Sequence, residues 1–484
     1  MNSLLATVVC FCGIAGLFYL NRDRSLRTTK ALWLPTIWIC LIGSRPVSVW
    51  LGIRYAGRDV QLDGSPVDAA FLGVLMAAAI GVLIRRSGRV SKLLAANWPI
   101  LIYFFYCLIS VAWSYHPDVA FKRWIKSIGD LAMVLVIVTE PRLHDALYRL
   151  FSRVGFLLFP TSVLFIKYFG NLGRGYTPDG APMNTGVATN KNMLGMMLLV
   201  ISLGTVWYFI TLLRAKGRPN RGRQLLAQGT LLVFGIALFL MANSATSSVC
   251  FVLGSTIIFA TGLRAIKKRR VRVHMLCLGL ILAGGFAMIL GGSTFVTNML
   301  GRKSNFSGRT EIWAALIPTA PNPIVGAGFE SYWISPAVLN FQSRLLAEGW
   351  WHPEGLNEAH NGYIEVYLEL GLVGVGLIAL ILITGYRRAV AAYRLNASLG
   401  GLMLAYVMVA AVYGITEAGF RMMALAWIFL QLAVVSANGI VAGFIQRESP
   451  KIHGLRGATA SRKSDTNGLI PEGETVYAAQ RGLT

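Results

Sequence analysis

Three kinds of side chain in this sequence suit chemistry, and they lie far apart along the chain. An imidazole, with an unperturbed pKa of about 6.5, can take a proton near neutrality. His360 is followed by Asn361 and then by an apolar run carrying Glu365 and Glu369. Those glutamates are four apart, so a helix puts them on one face, where they orient a His or an Arg or form a structural ion pair. By itself a single His is more often solvated or structural, and His116 and His352 stand in no better case. Arg supplies planar donors that grip phosphate oxygens two at a time and stay protonated. Arg309 is one such residue, and Arg174 is another, set between Gly173 and Gly175 where backbone N–H groups can approach an anion. Lys122, Arg123, Lys126 and Lys191 stand at ends of apolar runs, where reaching toward lipid phosphates explains them as well as ligand binding does. Trp313 leads a set of aromatics whose flat faces suit a membrane interface or a sugar ring. There is no Asp-x-Asp, no G-x-S-x-G and no H-E-x-x-H, so serine or zinc hydrolysis has no support. No metal and no cofactor is expected.

The elements that must position these groups are membrane helices. Of 484 residues, 55% are hydrophobic and 14% charged, far from a soluble chain's quarter or so of charged residues. About thirteen apolar stretches approach the thickness of a bilayer core: roughly 3–20, 31–53, 67–84, 97–114, 124–139, 148–169, 190–213, 224–242, 246–263, 273–291, 362–385, 400–416 and 421–445. The expected fold is an all-α polytopic membrane protein of about 12–13 transmembrane helices. The weakest stretch is 124–139, short and interrupted by Asp130. Basic clusters follow the odd-numbered helices, and that one side holds 31 of the 45 Lys and Arg residues. It is therefore expected to be cytoplasmic. The net charge of +24 thus reports topology and lipid contact rather than nucleic-acid binding. All six cysteines fall inside apolar runs, so no disulfide framework is expected.

The expected organisation is residues 1–291 as helices one to ten, 292–361 as one large outer loop, 362–445 as helices eleven to thirteen, and 446–484 as a disordered cytoplasmic tail. The loop carries four basic and five acidic residues and the aromatics Trp313, Phe329, Tyr332, Trp333, Trp350 and Trp351.

Two segments of this region carry a resemblance. Gly308-Arg309-Thr310-Glu311-Ile312-Trp313 is followed by Pro323-Ile324-Val325-Gly326-Ala327-Gly328; farther on, His360-Asn361-Gly362-Tyr363-Ile364 runs into Glu369-Leu370-Gly371. Ser44-Arg45-Pro46, Trp113-Ser114 and Lys191-Asn192 add to it. Together they resemble the O-antigen ligase and polysaccharide polymerase superfamily, integral membrane glycosyltransferases with a large periplasmic loop before the last helices. Ile364 stands where the family's His-(Asn/Ser/Gln)-x-x-Leu pattern ends in Leu, and Ala320 stands where its polymerases place a Gly after Arg309.

The resemblance implies transfer of a glycan from undecaprenyl pyrophosphate to an acceptor hydroxyl at the periplasmic face of the bacterial inner membrane. It makes Arg309 the first candidate to neutralise the departing pyrophosphate and His360 the general base. Arg174, Lys191, Arg123, Asn361, Glu365 and Trp313 are the candidate substrate-binding residues. The implied partners are the lipid-linked glycan, membrane lipids, and either lipid A core or a second lipid-linked oligosaccharide as acceptor. The missing polymerase glycine favours the ligase, with lipid A core as acceptor. Two rivals stand beside this reading. One is a transporter of lipid-linked sugars, which predicts internal repeats and midplane charges. The other is a metal-dependent glycosyltransferase using Asp59, Asp63 or Asp68.

Overall fold

A backbone in hydrocarbon must satisfy its own N–H and C=O groups, which is why long apolar runs become helices. The computed structural model describes residues 2–53, 64–176, 180–215, 217, 219–267, 270–291, 306–347 and 357–445. The expected tail 446–484 lies outside the described residues, as do Asp59, Asp63, Arg302, Lys303, Trp350, Trp351 and His352.

The chain runs through α1 (Ser3–Leu20), α2 (Trp33–Ile42), α3 (Pro66–Arg85), α4 (Ser87–Ala96), α5 (Trp98–Ser110), α6 (Pro117–Val138) and α7 (Leu143–Tyr168). A small antiparallel hairpin follows, β1 (Arg174–Tyr176) and β2 (Pro182–Asn184), with Arg174 opposite Asn184. Then come α8 (Lys191–Arg214), α9 (Arg221–Ala242), α10 (Ala245–Thr261), α11 (Arg270–Gly291), α12 (Phe306–Leu316), α13 (Ala337–Ala347), α14 (Gly362–Leu395), α15 (Ala397–Tyr413) and α16 (Leu425–Val441). Among the described residues, α1, α3, α7, α8, α9 and α14 are long and apolar enough to cross a membrane, and α4 and α5 together form an apolar pair bent by 87°, a broken span or a re-entrant loop. Shorter apolar helices fill the bundle between them, so the protein is an all-α polytopic membrane protein. The two 17-residue helices α15 and α16 are buried along nearly their whole length, and α14 packs against both.

Four stretches differ from the sequence reading. The expected span 31–53 breaks after Ile42, because Pro46 has no N–H to continue a helix. There the Arg45 guanidinium turns to the carbonyls of Leu172, Gly186 and Ala188. Residues 87–96, expected as a basic connection, form α4. The weak stretch 124–139 belongs to a longer helix beginning at Pro117. Its Asp130 is satisfied inside the bundle by the Trp38 indole at 2.9 Å and the Met423 amide at 2.8 Å. Finally, α16 begins at Leu425 rather than 421, leaving Arg421 in the connection after α15.

Residues between α11 and α14 build a second, smaller core. Ile312 and Leu316 of α12 meet Tyr332, Phe341 and Leu345, with Leu368 of α14 closing the cluster. This packing brings the two distant sequence motifs into one place.

Candidate functional site

The backbone frame comes first. Helix α14 is broken at Gly371, whose φ of +65° is open to glycine at little cost. A Cβ there would sit 2.1 Å from the Ile324 carbonyl oxygen. The break frees backbone groups, and residues 323–328 take four of them, while the Leu370 carbonyl accepts from the Tyr106 hydroxyl at 3.1 Å. The amides of Leu372 and Val373 donate to the carbonyls of Pro323 (2.9 Å) and Ile324 (3.1 Å). In the other direction, the Ala327 and Gly328 amides donate to Leu368 (2.9 Å) and Glu369 (2.8 Å). Gly326, at φ +70°, is needed because a Cβ would lie 2.4 Å from the Glu369 backbone. The glycine-bearing motif is thus a latch sewn into the broken helix.

Above the latch, α14 starts at a built cap. The Asn361 side chain accepts from the Tyr363 amide at 2.9 Å and the Ile364 amide at 3.1 Å, which satisfies two donors of the first turn. Next to it His360 holds a φ of +48°, a strained value for a side-chain-bearing residue. Its neighbour Ala359 is pinned from both sides: the Trp313 indole donates to its carbonyl at 2.8 Å, and its amide donates to Glu365 at 2.8 Å. Trp313 and Glu365 therefore set the position of His360 through the backbone.

The side chains converge on Glu417, which is buried in the connection between α15 and α16. Arg309 donates from Nη1 to the Thr416 carbonyl at 2.6 Å and from Nη2 to Glu417 Oε1 at 3.2 Å. Asn192, in the first turn of α8, donates to Glu417 Oε2 at 3.3 Å. His360 Nδ1 lies 3.0 Å from Glu358 Oε1 and 3.7 Å from Glu417 Oε2. Burial alone would push the imidazole toward neutrality, but the nearby carboxylates of Glu358 and Glu417 outweigh it and lift its pKa to about 9. A pKa lifted that far favours the protonated ring at neutral pH, so the neutral form that a general base needs is the minor one there. Glu358 moves the other way: burial raises it, and the His360 contact with the Arg421 and Arg309 charges brings it below the usual carboxylate value.

A second arginine stands beside this cluster. Arg421 lies 3.5 Å from Glu330 and 3.6 Å from Glu365, and donates to the Asn357 carbonyl at 3.4 Å. Its pKa is raised: burial works against the charge, and the surrounding glutamates more than restore it. Glu330 also accepts from the Met422 amide at 2.9 Å, and Arg123 donates to the Glu330 backbone carbonyl. Glu369 is held by the amides of Ser331 and Tyr332.

Of the expected residues, Arg309, His360, Asn361, Glu365 and Trp313 meet here, and Arg123 reaches the Glu330 edge. Lys191 opens α8 one residue before Asn192. Arg174 stands apart on β1, its Nε donating to the Ile166 carbonyl at 2.9 Å, and no described contact joins it to the cluster. Asp68 accepts from the amide and hydroxyl of Ser48, a capping role far from the cluster in sequence. Glu358, Glu417, Asn192 and Arg421 complete the cluster; of these the sequence marks Glu417 as an ionisable group beside a helix and Asn192 within the Lys191-Asn192 motif. Their signal was an ionisable pair, Glu417 and Arg421, in a short connection between two apolar helices. Glu358, His360 and Glu417 bring ligand atoms within 4.8 Å of one another, a set able to hold a divalent cation. Arg309 already supplies positive charge to the Glu417 member of that set.

Comparison with known proteins bears on the same region. Residues 230–380, which include α12, the latch and the start of α14, match the family described as O-antigen ligase. The chain is also 27% identical over 301 residues to the exopolysaccharide production protein ExoQ of Rhizobium meliloti (strain 1021). That alignment covers 60% of this chain and 64% of the relative, so the chain spans just under two thirds of the relative's length.

Proposed function

From a chain whose residues 230–380 match the O-antigen ligase family and which is similar to an exopolysaccharide production protein, we propose a member of the O-antigen ligase and polysaccharide polymerase superfamily, an enzyme that transfers a glycan from a polyprenyl pyrophosphate carrier to an acceptor hydroxyl. The observation that carries this is the meeting of Arg309 and His360 on the single carboxylate of Glu417. In the step, the bond between the sugar C1 and the diphosphate oxygen breaks, and a bond from C1 to the acceptor oxygen forms. Negative charge then grows on the departing polyprenyl diphosphate, and the Arg309 fork stabilises it. The acceptor proton goes to His360, in the fraction whose ring is neutral. Its contact to Glu358 orients the ring and strengthens it as a base, as a carboxylate partner does for a catalytic imidazole. Lys191 and Arg123 add positive charge near the site, and Arg421 holds Glu365 and Glu330 in place.

This reading puts the site on the periplasmic face of a bacterial inner membrane. The concentration of 31 of 45 basic residues on the other side supports it. In this reading Arg309 supplies the positive charge that a metal would otherwise bring to the diphosphate, so transfer is expected to persist in EDTA. Two acceptors fit the chemistry. The spacing after Arg309 favours lipid A core, while the relative's role in exopolysaccharide production favours a second lipid-linked repeat. Purified protein given a prenyl-pyrophosphate glycan with either lipid A core or further donor decides between them by which one is extended. Extension of neither overturns the proposal.

A further inference from the structure

A cavity of about 670 Å³ lies away from the Glu417 cluster, between the segment after α5 and the outer face of α13. We propose that it binds the sugars of the glycan chain remote from the reacting carbon; this rests on the glycan-transfer reading above. Its size is that of a small-molecule site, and its lining is the argument for its occupant.

Two aromatic rings form one wall. Trp113 spends its indole N–H on the Val325 carbonyl at 3.3 Å, which fixes the ring at its edge and leaves its face as a platform. Tyr115 is 61% exposed and is braced edge-on by the His116 ring, 4.9 Å away. The facing wall comes from α13, whose Phe341 and Leu345 are buried in the smaller core. That packing turns Asn340, Ser343 and Arg344 outward to the cavity, and Ser335 completes the polar side. The Ser335 and Ser343 hydroxyls donate to the Tyr332 and Leu339 carbonyls, so each keeps acceptor capacity for a ligand hydroxyl. Flat apolar faces opposite an amide, hydroxyls and a guanidinium match a sugar, which has apolar ring faces and a polar rim. Among the described residues no carboxylate lines the cavity, and Arg344 adds attraction for acidic sugars. An acyl chain would ask for a lining like the groove of Phe209, Leu225, Leu226 and Val233, which is almost wholly apolar.

Position supports the same occupant. Gly326 and Ala327 form part of the cavity and are also the latch residues bonded to α14 at Leu368 and Glu369. The cavity is thereby registered to the helix that carries Asn361 at its cap, roughly 12 Å away along the helix axis. A chain of several sugars can lie in both places at once.

The test uses full-length protein in nanodiscs and size-graded oligosaccharides cut from the surface polysaccharide of the source cells. Binding is read by calorimetry, and product length by gel after transfer from a one-repeat lipid-linked donor. Trp113→Ala and Arg344→Ala are each expected to weaken oligosaccharide binding about tenfold and to shorten the products. The first transfer should stay within about twofold of wild type. Trp113→Phe, which keeps a ring face but loses the bond to the Val325 carbonyl, should retain more binding than Trp113→Ala. Arg344 lies on the exposed face of α13, so its replacement leaves folding intact. Binding and product length unchanged in Trp113→Ala and Arg344→Ala overturn the proposal while leaving glycan transfer standing. So does a loss confined to membrane insertion, which makes the rings lipid anchors. Wild-type binding of the oligosaccharides without any transfer overturns the reaction and leaves the cavity assignment standing.

Discussion

Replacing Glu417 by Gln removes one charge and nearly no volume, so it isolates what that carboxylate does to His360. With a pKa of about 9, His360 is neutral in about 1% of molecules at pH 7. If the neutral ring is the base, kcat/KM climbs about tenfold per pH unit and levels near pH 9. Glu417 Oε2 is 3.7 Å from Nδ1, where an ion pair at an effective dielectric near 20 is worth at most about 4.5 kcal/mol. The His360 side chain is 24% exposed, and Glu358 remains in place, so the expected downward shift is on the order of one unit. The midpoint of the alkaline rise should therefore move toward pH 8. The plateau should fall as well, because Arg309 loses its ion pair while keeping the Thr416 carbonyl. Midpoint and plateau height separate the two effects. The assay is a pH series of glycan transfer in reconstituted vesicles. A midpoint that stays put, or rises, refutes the account of His360. The stability linkage has a definite sign too: a raised pKa stabilises the fold fully below about 6.5, and that contribution is lost as pH rises through 9.

Three further outcomes are expected. Arg309→Lys cannot serve Thr416, Glu417 and a diphosphate together with a point charge, so kcat/KM in the same vesicles should fall roughly tenfold to a hundredfold. Wild-type rates would end the phosphate role. Gly371→Ala places a Cβ against the Ile324 carbonyl at φ +65° and should cost roughly 3 kcal/mol or more, seen as a lowered unfolding temperature in detergent; an unchanged temperature would mean the latch is not under that constraint. A single cysteine at Leu346, 53% exposed, should react with impermeant maleimide from the outer side of spheroplasts. Labelling only after membrane disruption would reverse the proposed orientation.

Much of the fold was legible because its signal is local. Runs such as 3–20, 67–84, 190–213 and 224–242 carry enough apolar residues to demand helices whatever surrounds them. The break at Pro46 was less legible: proline is visible in the sequence, but the carbonyls that hold Arg45 lie more than 120 residues away. Arg309, His360, Asn361 and Trp313 stood out through motif context. Their partners did not, since Asn192 and Glu417 are separated by 225 residues and no period or spacing links them. The same gap hid the protonation of His360, which is set by two carboxylates, one of them 57 residues on in the chain. Glu365 was flagged as orienting either a His or an Arg; it bonds the amide beside His360 and also lies 3.6 Å from Arg421.

The central claim is that a cationic fork and an imidazole, joined through Glu417, move a glycan off its lipid diphosphate. The most direct measurement is transfer from a purified prenyl-pyrophosphate glycan by wild type and His360→Ala, each shown to insert in vesicles to the same extent, from pH 6 to pH 10. The account predicts an alkaline rise with wild type and no product with the variant at any pH. Product formed by His360→Ala at the wild-type rate would contradict it.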